Sequence, residues 1–372
     1  MRPIRVSVII GTRPEAIKLA PLILAARARP DEFAVRVVRT GQHRELVDEL
    51  LMEFGLRADV DLKVMQPNQD LAHVLSTSVR GLSDLLAEDR PDWVVVQGDT
   101  TTTLAGAMAA FYNRTRVAHV EAGLRSGNRY APFPEETNRR LTTHLADLHL
   151  APTEMARRNL LGEGIDPRAI VVTGNTVIDA LMRARSVGFG KGTKREPSPP
   201  AAYILVTAHR RENHGEALRR ICAAIRDLLE RHPETMAWIP MHPNPRVRDV
   251  LRRELGHHAR ALLTDSLGYT AFVHALDGAA FVLTDSGGVQ EECAAIGKPV
   301  LVMRECTERP EAIDAGVARI VGTSVRAIVD EGSLLLDDVF NGRAMVKASD
   351  AFGDGQASER ILAALLSADP GT

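Results

Sequence analysis

Short, nearly continuous apolar runs alternate with longer amphipathic stretches along this chain, and the alternation occurs twice. In the first half the runs are IRVSVII (4–10), AVRVVRT (34–40), DWVVVQ (92–97), RVAHV (116–120), DLHLA (147–151) and AIVVTG (169–174). In the second they are YILVTA (203–208), MAWIP (236–240), ARALLTD (259–265), AAFVLTD (279–285), PVLVM (299–303) and ARIVG (318–322). A strand with no polar face must be covered on both sides, and helices between successive strands supply that cover. The pattern predicts an α/β fold of two doubly wound, Rossmann-like domains. A ligand cleft is expected between them, facing the carboxyl ends of both sheets. Residues 186–202, SVGFGKGTKREPSPPAA, concentrate Gly, Pro, Ser and charge without a helical period and read as a linker. The domains are thus placed at 1–185 and 203–355, with no internal sequence repeat between them. In ASERILAALLSA (357–368), Ile361 pairs with Leu365 and Leu362 with Leu366 at helical spacing.

At 372 residues the chain is too long for one ordinary core and suits two. A formal net charge of −2 argues against a nucleic-acid surface or a polybasic membrane surface, both of which need clustered positive charge. No apolar run approaches the roughly 20 residues of a membrane span. The apolar run VSVII near the start is short and closely followed by charge, so no signal peptide is expected. Cys222, Cys293 and Cys306 are odd in number and lack CxxC spacing. A disulfide framework or zinc site is not expected; buried packing thiols in a reducing cytoplasm are.

Chemistry in such sheets gathers just past the strand carboxyl ends. After the first run, VSVIIGTRPEAIK turns on a glycine and presents Arg13, Glu15 and Lys18 within one helical turn. It lacks the second glycine and the Lys-Ser/Thr pair of a P-loop. In TDSGGVQEE (284–292), a strand is read as ending at Asp285, with Ser286, Gly287 and Gly288 opening a helix. Free N–H groups and the helix dipole would suit a phosphate there, with Glu292 near ribose hydroxyls. An ordinary N-cap with turn glycines reads equally well. His209 and Arg210, after the first run of the second half, could meet the same phosphates or form a solvated turn. Asp99, Glu121 and Glu135 are acids at strand ends or in the loops that follow. Each could be salt-bridged to Arg125, Arg129, Arg139 or Arg13, or could perform general acid/base work. His119 with Glu121, and His242 with His209, lack spacing that fixes a metal coordination sphere. His43 in GQHRE reads as a helix start or a cleft residue.

In order, GTRPEAIK, GQHRE, VVVQGDTTT, HVEAGLRS, PFPEETNRR, TAHRREN, LTDSGGVQEE, GKPVLVMRECTERPE and FGDGQASERI form a distinctive set. The set resembles that of a non-hydrolysing UDP-N-acetylglucosamine 2-epimerase, from about residue 4 to 367. The resemblance implies a B-type glycosyltransferase architecture, with a C-terminal helix (356–372) crossing back to the N-terminal domain. It implies reversible conversion of UDP-N-acetylglucosamine to UDP-N-acetylmannosamine without nicotinamide or metal, in a cytoplasmic homodimer. Asp99, Glu121, Glu135 and His209 would be catalytic. Arg13, Lys18, Arg139 and Arg210 would contact substrate; Ser286, Gly287, Gly288, Glu292 and Arg309 would hold UDP, with Phe272 near the uracil. Leu267 stands where some relatives carry a polar side chain. Glu45 and Asn68 stand where some bacterial members bind a second substrate molecule. A glycosyltransferase of the same architecture, a UDP-sugar-binding module without turnover, and a hydrolysing or modified-UDP-sugar epimerase are the alternatives.

Overall fold

A computed structural model of the chain describes residues 2–41, 44–64, 69–187, 203–342 and 346–368. They divide into two compact units, Met1–Met182 with Gly353–Thr372, and Arg183–Phe352. His43, Asn68, the Glu45 side chain and all but the first two residues of the expected 186–202 linker lie outside the described residues.

The first unit runs β1 (Ile4–Ile10), α1 (Arg13–Arg27), β2 (Phe33–Arg39), α2 (Arg44–Glu53), β3 (Val60–Asp61), α3 (Leu71–Asp89) and β4 (Trp93–Gln97). It continues with α4 (Thr101–Tyr112), β5 (Arg116–Val120), α5 (Glu135–Leu145), β6 (Leu148–Ala151), α6 (Glu154–Gly162), β7 (Ile170–Val172) and α7 (Thr176–Ser186). Every strand pair is parallel, in the order β3-β2-β1-β4-β5-β6-β7. The chain builds outward from β1 to β3, then crosses back to lay β4 on the other side of β1. At such a reversal the neighbouring loops diverge and leave a crevice at the strand carboxyl ends. The loops that diverge here begin at Gly11 and Gly98.

The central strands are apolar because both of their faces are covered. All five residues of β4 are buried, and α4, rich in Ala and Thr, is buried over nearly its whole circumference. A close approach dictates Gly11: a Cβ there would lie 2.1 Å from the Thr102 hydroxyl oxygen. β3 was not anticipated; it is a two-residue edge strand whose sequence carries no apolar run.

The second unit contains β8 (Tyr203–Thr207), α8 (Glu216–Arg231), β9 (Met236–Pro240), α9 (Pro245–Leu255), β10 (Ala261–Thr264) and α10 (Tyr269–Gly278). β11 (Phe281–Thr284), α11 (Gly287–Ile296), β12 (Val300–Val302), α12 (Pro310–Asp314), β13 (Ala318–Ile320) and α13 (Val325–Phe340) complete it. Its sheet is again all parallel, ordered β10-β9-β8-β11-β12-β13, with the reversal between β8 and β11. Two polar aromatic groups are placed where their donors find partners. Tyr203 donates to the Ala275 carbonyl at 2.6 Å, and Trp238 Nε1 to Thr264 Oγ1 at 3.1 Å. Cys222 and Cys293 are buried as expected, whereas Cys306 is exposed, because it sits in the loop after β12 rather than in an element.

The final helix α14 (Ala357–Ser367) belongs to the first unit and packs on α1. Ile361, Leu362 and Leu365 are buried, as the helical spacing requires, whereas Leu366, paired with Leu362 by that spacing, is exposed. The helix lacks a side-chain cap of its own. Asp179 on α7 supplies one, accepting from Ala357 N at 3.2 Å and Ser358 N at 2.7 Å. Asp179→Ala should therefore cost about 1–2 kcal/mol, the usual scale for a lost N-cap. Backbone amides of α14 should exchange with solvent faster than those of β4, which hydrogen-exchange mass spectrometry would resolve.

Candidate active site

In the first unit the opening turn of α1 separates two charged residues that the sequence placed together. Pro14 stands in the first turn, where a missing N–H costs nothing. Glu15 points inward: its carboxylate accepts from Gly11 N (2.9 Å), Thr12 N (2.5 Å), Thr100 Oγ1 (2.6 Å) and Thr103 Oγ1 (3.2 Å). Burial raises its pKa, opposed by the hydrogen bonds from Thr100, Thr12 and Gly11. Glu15 thereby joins the start of α1 to the start of α4. Lys18, one turn later, is also buried, and its Nζ meets Glu121 Oε1 at 2.5 Å.

Glu121 follows β5 immediately and adopts φ +64°, a left-handed conformation that a side-chain-bearing residue seldom holds without external support. The support is a ring of donors. Besides Lys18, Gln97 Nε2 at the end of β4 donates to Oε2, and Asn175 Nδ2 beyond β7 donates to Oε1 at 2.9 Å. Asp99, two residues past β4, is paired with Arg139 of α5, whose Nε donates to Oδ2 at 3.1 Å and whose Nη2 reaches the same oxygen. Arg139 is held in turn by the fully buried Glu136 at 3.2 Å. Glu135 opens α5, where the dipole favours an anion, one turn ahead of Arg139 on the same face. Arg125 pairs with Glu163 at 2.7 Å and Arg129 lies over the Tyr130 ring, contacts that involve none of the three acids. Arg13 is half-buried at the first position of α1.

Two buried histidines lie beneath these acids on neighbouring strands, His119 opposite His149. Burial lowers the His119 pKa to about 4, although its Nε2 lies 2.7 Å from the Gly98 carbonyl. Burial likewise lowers His149 to about 3. Since a carbonyl only accepts, His119 Nε2 carries the proton of a neutral ring.

In the second unit a buried carboxylate, Asp285, organises the loop after β8. It accepts from the backbone N–H of His209 (3.0 Å) and Arg210 (2.9 Å), from Asn213 Nδ2 (3.0 Å), and pairs with His209 Nδ1 at 3.1 Å. Burial acts to raise this carboxyl, but the contacts from His209, Arg210 and Asn213 outweigh it and bring it down to about 2. The His209 ring, partly exposed, stacks on His242 with centroids 5.7 Å apart. Arg210 is half-buried beside it.

The helix after β11 begins at Gly287 with Ser286 as its N-cap residue and no side-chain cap. Gly288 has no atom within 4 Å of where a Cβ would stand, so space is open in front of that turn. At Gly287 a Cβ would lie 3.0 Å from the Arg309 guanidinium. Arg309 is fixed by Glu291 at 2.7 Å and Glu308 at 3.5 Å, and Glu308 also pairs with Arg304 at 2.8 Å. Burial acts to raise the Glu308 carboxyl, yet Arg309 and Arg304 bring it down to about 2. Glu292 is buried and accepts from Tyr269 at 2.8 Å; Phe272 lies one turn further along α10. Uncapped N–H groups, a positive helix end and a guanidinium together make an anion cradle.

Within the first unit, then, Lys18 with Glu121 and Asp99 with Arg139 meet across the carboxyl ends of β1, β4 and β5. Within the second, His209 and Arg210 gather around Asp285, while Arg309 packs against the start of α11. Gln97, Asn175, Glu136, Glu291, Glu308 and Tyr269 carry contacts that sequence reading did not assign. Asp285 was read only as a strand end. The signal for Gln97, Asn175 and Asp285 was their position at strand ends, but type and spacing did not reveal their partners. No helix is long and apolar enough to cross a membrane among the described residues.

The chain belongs to the UDP-N-acetylglucosamine 2-epimerase family, whose model matches residues 25–366. The UDP-N-acetylglucosamine 2-epimerase of Escherichia coli K12 is 47% identical over 97% of this chain and 98% of its own length. The crystal structure of the Neisseria meningitidis UDP-GlcNAc 2-epimerase bound to UDP-GlcNAc is 40% identical, with a TM-score of 0.90 over 98% of this chain and 100% of that one. A co-structure of S. aureus MnaA with UDP is 42% identical, with a TM-score of 0.88 over 97% and 95% of the two chains.

The buried histidines imply an acid-sensitive first unit. With folded pKa values below the ordinary 6.5, they take up fewer protons folded than unfolded. Their contribution to stability is complete above about pH 6.5 and is lost as pH falls toward 4 for His119 and 3 for His149. His119→Gln, which can keep a donor toward Gly98, should make the decline between pH 6.5 and 4 shallower by about one proton. Urea unfolding of both proteins at several pH values across this range would measure the difference.

Proposed function

We propose that this protein interconverts UDP-N-acetylglucosamine and UDP-N-acetylmannosamine without hydrolysis, by eliminating UDP and adding it back. The reading is carried by the acid-and-cation array after β1, β4 and β5. Glu121 and Asp99 are each locked to a cation there, and Glu135 opens the adjoining helix. Membership of the epimerase family and a neighbour bound to UDP-GlcNAc support the substrate.

The C2 hydrogen of an N-acetylated sugar is only weakly acidic. Elimination makes its removal feasible, because the C1–O bond to the diphosphate breaks as C2 loses its proton. An unsaturated sugar and UDP result, and re-addition with protonation on the opposite face inverts C2. The sequence needs bases for both faces, a clamp on the departing diphosphate and exclusion of water. Asp99, Glu121 and Glu135 supply the proton-transfer groups. Arg13, Lys18, Arg139, Arg210 and His209 are assigned to the substrate and its developing charge. Ser286, Gly287, Gly288 and Arg309 hold the diphosphate, Glu292 the ribose, and Phe272 stands near the uracil. The cytoplasm is the compartment assigned, a homodimer the assembly, and an activated amino sugar for polysaccharide or glycoconjugate synthesis the product.

In heavy water, without added nicotinamide, the epimerised product should carry deuterium at C2, read by NMR. Protium retained at C2 would sink the elimination mechanism. Stoichiometric release of UDP with free N-acetylmannosamine would instead mark a hydrolysing enzyme. Asp99→Asn, Glu121→Gln and Glu135→Gln should each lose at least ~100-fold in turnover while still binding UDP. Turnover near wild type in any one of them would remove that residue from the catalytic set.

A further inference from the structure

The FGDGQASERI stretch near the C-terminus contributes none of the residues assigned above, yet its contacts lead to Glu121. β7 ends at Val172, and residues 173–175 carry the chain into α7. Asn175 is 2% exposed, and both ends of its amide are engaged. Nδ2 donates to Glu121 Oε1 at 2.9 Å, and Oδ1 accepts from Val177 N at 3.1 Å. The second contact orients the first, because with the oxygen bound to an N–H the nitrogen must face the carboxylate.

The C-terminal segment braces this turn at three points. Gly353, at φ +122°, lies so close that a Cβ would stand 3.1 Å from Gly174 Cα and 3.3 Å from Asn175 N. Arg360 of α14 donates to the Thr173 carbonyl at 3.2 Å while Asp354 holds its guanidinium through two contacts of 2.7 Å. Asp179, one turn past Asn175, accepts from Ala357 N and Ser358 N. Residues 353–360 thus fix the backbone on both sides of the side chain that reaches Glu121. The backbone of Glu121 is left-handed, so its carboxylate direction depends on external contacts of this kind.

We propose that Asn175 is a positioning residue for Glu121, and that segment 353–360 is the brace that keeps Asn175 aimed. The proposal rests on the catalytic reading of Glu121. An aimed carboxylate transfers a proton at hydrogen-bond distance, and misplacement of about 1 Å can cost on the order of 10²-fold. The brace gives the end of the chain a direct effect on turnover without contact to substrate.

Asn175→Ser tests this, because serine can still cap α7 but is too short to reach Glu121. With UDP-N-acetylglucosamine as substrate, kcat should fall about 10–100-fold, with KM and UDP affinity within about threefold of wild type. In a Glu121→Gln background the same substitution should remove less than about twofold more, as expected for residues acting in one unit. Gly353→Ala should lower kcat in the same direction with the same unchanged KM, and it serves as the test if Asn175→Ser does not fold. A purely structural role would lower the folded fraction, not kcat per folded active site, and would add equally in both backgrounds. Either that additivity, or wild-type kcat in Asn175→Ser and Gly353→Ala while Glu121→Gln is impaired, overturns the proposal alone. If Glu121→Gln turns over at the wild-type rate, the catalytic reading of Glu121 fails first and the proposal with it.

Discussion

The buried pairing of Lys18 with Glu121 is the interaction on which the first unit's acid array depends. Removing two charges from water costs several kcal/mol per ion, and their attraction offsets this only when the remaining hydrogen-bonding capacity is also met. Gln97 and Asn175 help to meet it on the carboxylate side. The carboxylate and its donors come from four separate positions in the chain: the loop after β5 supplies Glu121, and α1, the end of β4 and the loop after β7 supply Lys18, Gln97 and Asn175. A parallel sheet brings all of them to one edge, because every strand delivers its carboxyl end to the same side. The buried charge therefore ties the correct assembly of the sheet to the presence of the site.

The second unit solves a related problem with Asp285. It too is a buried carboxylate just past a strand, and it too is satisfied by groups from a neighbouring strand end. Here two of the partners are backbone N–H groups, so the carboxylate shapes the loop after β8 as well as meeting the His209 ring and Asn213. The guanidinium of Arg309 is fixed separately by Glu291 and Glu308, against a turn that must be glycine at 287 for it to fit. A positive helix end beside a pre-aimed guanidinium is costly to build without anions nearby. Two buried glutamates lower that cost while the cradle itself stays open before Gly288.

Charge type alone did not separate structural acids from candidate catalytic ones. Glu15 and Lys18 occupy one helical stretch, yet one seals a helix junction and the other meets Glu121. Glu135 and Glu136 are adjacent, but only Glu136 is fully buried, held between Arg139 and Arg140. In both cases a difference of one to three residues turns the side chain through the helix to another face. Cys306 shows the same limit for packing, since its neighbours in sequence do not reveal that its side chain is exposed while Arg304 and Glu308 beside it are buried.

Local pattern determined most of the elements: short continuous apolar runs between amphipathic stretches marked the covered strands, β3 excepted, and helical spacing marked the final helix. The distinctive motifs determined the family and which strand ends carry its polar residues. Tertiary structure alone decided the pairings, because partners such as Glu121 and Asn175 are separated by 54 residues and the local pattern around either does not point to the other. Sheet order made them neighbours, and burial then made the pairing obligatory, since a carboxylate out of water must find its donors wherever the fold delivers them.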